Sequence, residues 1–521
     1  MPRLSHGATA SLESVQVAMS EIDALNLNLS SPVMLAVPRR LTAFDYMFQD
    51  LQGDENLLPA GAATIENLQL LGATMVDTAP ADASNADIPA AYTYLGQFID
   101  HDVTLETMSD LLGDLVEPTI LPKASVLQRI KNQRTATLDL DSVYEPPAPF
   151  AGERMQLGVV SLEGHPVTAD REMDLPRAAR DSDSRFDRFA LIGDARNDEN
   201  LIIAQLHVAF LKAHNAIVAR GHNGHTARRI LRQLYQWIVV EDFLRRVAGS
   251  TIVDRVLADG NRFFTPDDAN FFLPLEFTVA AYRFGHSMVR AKYEFNRNFG
   301  ANGVQGPGSL DRLFTFTALS GELGSGVGAD TLPENWVIEW QNFVSSTPNP
   351  ARRIDTHLVD PLFRLRDEKG NPLPGLAAKL ATRNLLRGYK LRMPTGQAVA
   401  GKMGVAPLAP SVLMTLILEN ADRAGLSTGD KDALRRSSFD THTPLWFYIL
   451  AESEIAEGGA HLGKVGGTIV AEVLIELVRR SADSIYASGN DWTPAQLSED
   501  LQKPISAEFT LRDLLELAGV L

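Results

Sequence analysis

Three short polar clusters, each set in an apolar and helix-like stretch, constrain the fold of this chain more than any other feature. They are Tyr94–Asp102, Arg196–Glu199 and Arg283–His286. Two of them centre on a histidine, so their convergence would bring two imidazoles together with an arginine and carboxylates at the rim. The candidate site residues run from 94 to 387. Their convergence would therefore make most of the chain one domain.

The hydrophobic periodicity along the chain is mainly helical. Apolar residues recur at helical spacing over 200–221, 226–248, 272–291, 411–425 and 466–488, and Thr510-Leu-Arg-Asp513 resembles a capping box before a last helix. Alternating strand patterns are rare, and 145–190 and 296–335 are loop-like. The sequence predicts a mainly α fold with few short strands. We expect an N-terminal arm over 1–40 and a single large domain over 41–521.

The composition excludes several classes of protein. The chain has no cysteine, which rules out disulfides, thiolate ligands, iron–sulfur clusters and cysteine-based zinc sites. Its net charge of −17 argues against nucleic acid or an anionic membrane as partner, because both need clustered Lys and Arg. No apolar run approaches the roughly 18–20 residues of a membrane span, and no signal-peptide core is visible. We expect a cytoplasmic protein without a membrane span, or one secreted without a classical signal peptide.

The first cluster offers a histidine that can move a proton. Gln97, Asp100 and His101 are spaced i, i+3 and i+4, which places them on one face of a helix. Imidazole titrates near neutrality, so His101 can act as a general acid and base. Asp102 lies about 100° further around the helix and must face elsewhere. The alternative interpretation is a capped, hydrogen-bonded histidine without a catalytic role.

The second cluster offers a cation beside a carboxylate. Arg196 and Glu199 are spaced i, i+3 just before a long apolar helix. An arginine in a cavity can stabilise negative charge that develops during bond breaking. The alternative is a salt bridge at the start of a helix, which contributes little when it is exposed.

The third cluster offers a possible axial ligand. His286 lies in an apolar stretch directly after Gly285, whose missing side chain lets a flat ring approach the backbone. An axial imidazole needs an acceptor for its second nitrogen, and Asn384 is a candidate. The alternative is a core histidine, which is also how we interpret His207 and His214.

A fourth segment has oxygen atoms on alternate residues. In extended chain, alternate side chains point the same way, and hard oxygen ligands suit Ca²⁺. The alternative is a solvated turn. The residues are Thr135, Thr137, Asp139 and Asp141.

Four motifs together resemble those of the animal-type haem peroxidase superfamily, or peroxidase–cyclooxygenase superfamily, in its bacterial branch. They are GQFIDHD, GDARxxEN, YRFGHSMV and NLLRGYKLRMPTGQ, in the family's order and rough spacing. The resemblance covers about 40–500. It implies a haem b buried among central helices.

The resemblance implies how that haem would be held. His286 would be the proximal iron ligand, Asn384 would hydrogen-bond it, and Arg387 would also contact the cofactor. Asp100 and Glu199 match the carboxylates that form ester bonds to haem methyl groups.

The resemblance also implies the catalytic and calcium residues. His101 would be the distal acid–base histidine, Arg196 its partner in O–O cleavage, and Gln97 part of the distal pocket. Asp102 matches a calcium ligand and would be joined by the segment with alternate oxygens. The full calcium set would be Asp102, Thr135, Thr137, Asp139 and Asp141.

At two positions the residue differs from that of relatives within the superfamily. Asn200 stands where one mammalian member has a methionine that forms a sulfonium link, so that bond is excluded. Arg283 stands where cyclooxygenases and α-dioxygenases carry a radical tyrosine. Tyr282 is one residue away, a rotation of about 100° on a helix, so we expect it not to face the same substrate.

These implications predict a haem peroxidase that uses H₂O₂, through a ferryl intermediate, to oxidise a small electron donor. The donor would be a halide, thiocyanate or a small phenol, with no nucleic-acid partner. Two alternatives stay open: a fatty-acid dioxygenase on the same fold, and a non-enzymatic haem- or calcium-binding scaffold.

Overall fold

The computed structural model describes 41–78, 84–108, 119–182, 187–318, 321–324, 328–366 and 372–521. The predicted N-terminal arm over 1–40 lies outside these residues. The described α-helices are α1 Ala62–Thr74, α2 Ala91–Val103, α3 Lys123–Arg129, α4 Asp141–Tyr144, α5 Leu201–Val218, α6 Gly224–Trp237, α7 Ser250–Asp259, α8 Gly285–Met288, α9 Leu380–Lys390, α10 Gly396–Lys402, α11 Pro410–Arg423, α12 Thr428–Arg435, α13 Leu445–Glu457, α14 Lys464–Arg480 and α15 Leu511–Leu517.

The strands of the described residues are short and form only two-stranded sheets. The pair of Ala43–Asp45 and Phe272–Pro274 is parallel, with Ala43 opposite Phe272, and the other four pairs are antiparallel. The mainly α class is therefore confirmed. The strands are β1 Ala43–Asp45, β2 Asn85–Pro89, β3 Glu106–Met108, β4 Ile130–Asn132, β5 Phe150–Ala151, β6 Arg154–Met155, β7 Phe272–Pro274, β8 Lys292–Tyr293, β9 Gly308–Ser309 and β10 Pro350–Arg352.

Helix α5 is the central buried helix. Asn200 caps its N-terminus by accepting a hydrogen bond from the backbone N–H of Ile203 at 3.0 Å. Among the described residues it is the one helix with the length and composition of a membrane span, with a mean hydropathy of 1.4 over 18 residues. Because 83% of that window is buried inside the protein, core packing accounts for its apolar sequence.

The predicted helices agree with the observed helices to different degrees. The helix over 411–425 is α11, and the capping box at Thr510 begins α15. The helix over 226–248 starts as α6 and continues as a π-helix over Ile238–Gly249. The helix predicted over 466–488 ends at Arg480, because Ser481 is extended and its hydroxyl accepts from the backbone of Leu138.

The prediction of one continuous helix over 272–291 is wrong. The segment begins as β7, becomes a π-helix over Glu276–Ala280, then a 3₁₀-helix over Ala281–Phe284, and ends as α8. Pairing with β1 uses the first backbone groups of the segment, so they are not available to a helix. The change of helix type rotates the following side chains away from regular α-helical positions.

A buried carboxylate fixes the start of this segment. The two oxygens of Glu276 accept the backbone N–H groups of Met47 at 2.8 Å and Phe48 at 3.2 Å. Burial raises the pKa of Glu276 to about 7, because desolvation penalises the charged form. The folded state therefore binds a proton that the unfolded chain would release at lower pH.

We predict that Glu276 makes the protein less stable as the pH rises. Its folded pKa lies above its unfolded value, so its contribution is complete below about pH 4.5 and is lost as the pH rises through about 7. Between these limits the free energy of unfolding should fall by about 3 kcal/mol relative to Glu276→Gln, which does not titrate. Denaturant unfolding of both proteins at pH 5 and pH 8 measures the difference. An equal pH dependence in the two proteins would contradict the assignment.

Candidate active site

Side chains from all three sequence clusters line one cavity. It lies between α2, the turn before α5 and the segment around α8, and α9 closes one side. Phe44, Phe243, Phe284, Met288 and Val289 supply apolar walls. Its polar lining includes Gln97, Asp100, His101, Glu106, Arg196, Glu199, Arg283, His286 and Arg387.

Helix α2 supplies one wall. Gln97, Asp100 and His101 line the cavity together, as their helical spacing predicts. Asp102 is fully buried outside the cavity lining and accepts the backbone N–H groups of Leu140 and Ser142, both at 3.1 Å. The expectation that Asp102 faces elsewhere therefore agrees with the structure.

The second cluster forms a 3₁₀-helix over Ala195–Asp198 rather than the start of an α-helix. Positions i and i+3 eclipse in that geometry, so Arg196 and Glu199 still reach the same cavity. The carboxylate of Glu199 lies 3.9 Å from Nε2 of His101 and accepts a hydrogen bond from Gln97. Asp198 instead pairs with Arg177 at 2.7 Å, away from the cavity.

Arg196 joins this turn to the end of α2. Its Nη2 group donates to the carbonyls of His101 and Thr104 and, at 2.8 Å, to Asp194. A cation at the C-terminus of a helix is favourable because of the helix dipole. Burial and then the charge of Arg196 lower the pKa of His101, so its imidazole is neutral at physiological pH. The salt bridge that Arg196 forms is buried and joins it to Asp194 at 2.8 Å, while Arg196 also lines the cavity.

His286 stands on the cavity wall with Asn384 behind it. Nδ1 of His286 lies 2.9 Å from Nδ2 of Asn384. In this structure Arg283 donates to Oδ1 of Asn384 at 2.8 Å, and the N–H₂ group of the amide faces the imidazole. A His286 that binds iron through Nε2 would carry its hydrogen on Nδ1 and would need the amide oxygen there instead, so the acceptor role of Asn384 stays a prediction.

Tyr282 also lines the cavity, against the expectation that it would face away. The expectation assumed a regular α-helix, whereas Tyr282 lies in the 3₁₀-helix that follows a π-helix. Its hydroxyl donates to the backbone carbonyl of Gly96 at 3.1 Å, and its ring packs against Phe277 at 4.7 Å.

Three further polar residues lie at or behind the cavity wall and were not predicted as site residues. Asn200 donates to Oε1 of Gln97 at 3.2 Å, and its position before an apolar run was a readable capping signal. Glu106 forms an ion pair with Arg387, whose pKa burial lowers to about 10. Asn197 bonds to His101 at 2.8 Å, and nothing in the sequence distinguished it.

The residues predicted to bind calcium lie at the end of α2 and around the start of α4. The loop that holds Asp139 is bent rather than extended, so the argument from alternating side chains does not apply. Within the described ranges, no group of three or more His, Cys, Asp or Glu is arranged to hold a metal. Burial, and after it the charge of Asp141, raise the pKa of Asp102 to about 7.

A model of the animal haem peroxidase family matches residues 122–318. Eosinophil peroxidase of Homo sapiens is 25% identical over 248 residues, which cover 45% of this chain and 32% of that protein. Both matches support the peroxidase–cyclooxygenase superfamily. The match spans about a third of the curated relative, and the bacterial branch stays a prediction.

Solved structures of a peroxidase and of a dioxygenase have a similar fold. Peroxidase A from Dictyostelium discoideum has a TM-score of 0.50 at 15% identity and covers 87% of this chain and 91% of its own. Fatty acid alpha-dioxygenase from Arabidopsis thaliana has a TM-score of 0.54 at 13% identity, with 88% and 76% covered. Peroxidases and dioxygenases therefore share this helical fold, and the fold alone does not separate them.

The residues of the cavity fit the haem that the superfamily implies. A side chain built on Gly285 would meet no atom within 4 Å, so there is open space directly beside His286. His101 and His286 supply two imidazoles, while Arg283 and Arg387 supply cations suited to carboxylate groups.

We predict that Gly285→Val blocks haem uptake without unfolding the chain. Gly285 has helical backbone angles, so a side chain is tolerated there but occupies the space beside His286. Haem titration followed by absorption should show at least a tenfold loss of affinity, while the melting temperature of the haem-free protein changes little. Gly401→Val, in a helical glycine with open space on the surface, is the matched control. Equal haem affinity in both variants would show that the space beside His286 does not receive the ring.

Proposed function

We propose that the protein is a haem peroxidase, which uses H₂O₂ to oxidise a halide, thiocyanate or a small phenol. The observation that carries the proposal is that His101, Arg196 and His286 line one cavity, although they come from three distant segments. Bound haem would supply the redox chemistry. A peroxide-binding site needs a neutral base and a nearby cation, and these residues provide both.

The chain's own residues would handle the proton and the charge. His101, whose pKa is lowered by burial, accepts the proton of H₂O₂ on Nε2 and returns it to the leaving oxygen. Arg196 stabilises the negative charge that develops on that oxygen. Gln97, beside Glu199, orients a water molecule or a small anion in the same space.

His286 would hold the haem iron, and Arg387 would pair with its carboxylate groups. Asp100 and Glu199 are the carboxylates proposed to form ester links to haem. Support comes from their place on the cavity wall, where Asp100 directly precedes His101 on α2 and Glu199 lies 3.9 Å from its Nε2. Ester links would retain the cofactor and require no cysteine, which the chain lacks.

We predict that His101→Ala slows the reaction with H₂O₂ by roughly 10²–10⁴-fold, because general acid–base catalysis by a positioned side chain is worth about that factor. Haem should stay bound, since His286 is unchanged. Stopped-flow absorption of the haem-loaded protein measures the rate. His225→Ala, which removes an exposed histidine, is the control. An undiminished rate in His101→Ala would remove His101 from the mechanism.

The two alternatives give different results in the same preparation. Oxygen uptake with an unsaturated fatty acid, without added peroxide, would indicate the dioxygenase. Support for a peroxidase over a dioxygenase is that Arg283, not a tyrosine, precedes His286 by three residues. A haem-loaded protein that reacts with neither peroxide nor fatty acid would be a binding scaffold.

A calcium ion is proposed to hold the loop before α4 against α2. The ligands would be Asp102, Thr135, Thr137, Asp139 and Asp141. Support comes from the contact between Asp102 and the start of α4: its buried carboxylate accepts the backbone N–H groups of Leu140 and Ser142, the two neighbours of Asp141. The buried hydroxyl of Ser142 has no hydrogen-bond partner among the described residues and is a further oxygen ligand.

We predict that Ca²⁺ stabilises the protein. At a concentration about 100 times its Kd, a bound ligand adds about 2.7 kcal/mol to the free energy of unfolding. Thermal melts with and without Ca²⁺ measure the effect, which Asp139→Asn should abolish and the exposed Asp491→Asn should retain. Melts insensitive to Ca²⁺, with no calcium found by metal analysis, would remove the ion from the proposal.

The partners and location of the protein are also proposals. A small or anionic donor is supported by the arginines on the cavity wall. A cytoplasmic location is supported by the absence of cysteine, and secretion is the alternative.

A further inference from the structure

A buried amide joins two histidines behind the cavity wall. Nδ1 of His101 lies 2.8 Å from Oδ1 of Asn197, and Nδ2 of Asn197 lies 3.0 Å from Nδ1 of His207. Asn197 and His207 are 0% exposed and His101 is 5% exposed, so water does not compete for these bonds. The three side chains form a continuous row from the cavity into the core.

We infer that Asn197 and His207 are positioning residues: they fix which ring nitrogen of His101 carries its hydrogen. The inference rests on the proposed function, in which His101 takes a proton from H₂O₂. Neither residue lines the cavity. They act through His101 and do not touch the substrate.

The chemistry of the amide sets the tautomer of His101. An amide oxygen only accepts hydrogen bonds, so Nδ1 of His101 must carry the hydrogen. A neutral imidazole has one N–H group, which leaves the lone pair on Nε2. Nε2 is the nitrogen on the side of Glu199, 3.9 Å away, and Glu199 lines the cavity. The base therefore presents its proton-accepting atom to the space where peroxide would bind.

His207 holds the N–H₂ end of the amide. Nδ2 of Asn197 only donates, so Nδ1 of His207 must be unprotonated. Burial lowers the pKa of His207 to about 3, which keeps its ring neutral. The amide oxygen faces His101 and the amide nitrogen faces His207. His101 and His207 therefore hold opposite tautomers.

Packing alone does not explain the imidazole at position 207. The ring packs edge-on to Phe98 at 6.1 Å in an apolar region, which a leucine or phenylalanine would also fill. Its Nε2 is buried and has no hydrogen-bond partner among the described residues, which is a cost. The bond from Nδ1 to Asn197 is the contact that an apolar side chain could not supply.

The tautomers can be read directly by ¹⁵N-histidine NMR of the full chain. The haem-loaded protein would be studied in its reduced carbon monoxide form, which is diamagnetic, with signals assigned by their loss in His101→Gln and His207→Gln. We expect Nδ1–H at His101 and Nε2–H at His207. In Asn197→Asp the carboxylate only accepts, so His101 should keep its tautomer while His207 switches to Nδ1–H.

The rate of the reaction with H₂O₂ is a second test of the inference. Asn197→Leu has a similar size but no polar atom, so His101 should lose its preference for Nδ1–H, and the reaction with H₂O₂ should slow by about 10- to 100-fold. Asn215→Leu is the matched control. It removes a buried amide of α5 whose two 2.8 Å bonds go to the backbone of Met155, and both tautomers should survive it.

Two results would overturn the inference: Nε2–H at His101 in the unmodified chain, or an unchanged His207 in Asn197→Asp. Neither depends on catalysis. If the tautomers are as expected but the unmodified chain does not react with H₂O₂, the proposed function fails and the tautomer assignment stands.

Discussion

The carboxylate of Asp194 is the contact on which the arrangement of the site depends. It accepts the backbone N–H of Arg196 at 2.9 Å and the guanidinium groups of Arg196 and Arg134. Burial opposes ionisation of Asp194, but the two arginines hold its pKa well below the usual range. Removing one partner of such a buried pair leaves an uncompensated charge and typically costs about 3–5 kcal/mol. Because Arg196 in turn binds the last carbonyls of α2, one carboxylate holds both the turn and the helix that carries His101.

Neighbouring residues of that turn have different roles: some stabilise the fold and others line the cavity. Asp198 is paired with Arg177 in the core, while Glu199 reaches the cavity. Asn197 points to the two histidines, and Asn200 caps α5 while bonding to Gln97. A 3₁₀-helix makes this possible, because three residues per turn send successive side chains in three well-separated directions.

Much of this could be predicted from periodicity and type of residue. The spacing of Gln97, Asp100 and His101 was enough to place them on one wall, because α2 is a regular helix. The same reasoning failed for Tyr282, because π- and 3₁₀-helices leave no distinct pattern in a single sequence. The orientation of Asn384 depends on Arg283, which lies far away in the chain, and no local signal reports such a pairing. His207 was correctly expected to be buried, but burial alone did not reveal its bond to Asn197.

The walls of the cavity come from distant parts of the chain, and this limits the order in which the cavity can form. The two imidazoles lie on α2 and α8, the turn with Arg196 lies between them in the sequence, and α9 with Arg387 comes later still. Contacts of such long range form only after the intervening loops are closed, at a cost in chain entropy. A ribosome-bound chain that has not yet exposed α9 lacks one side of the cavity. The cavity is therefore complete only after α9 has been made, and a cofactor that needs all of its walls would bind after that helix has folded.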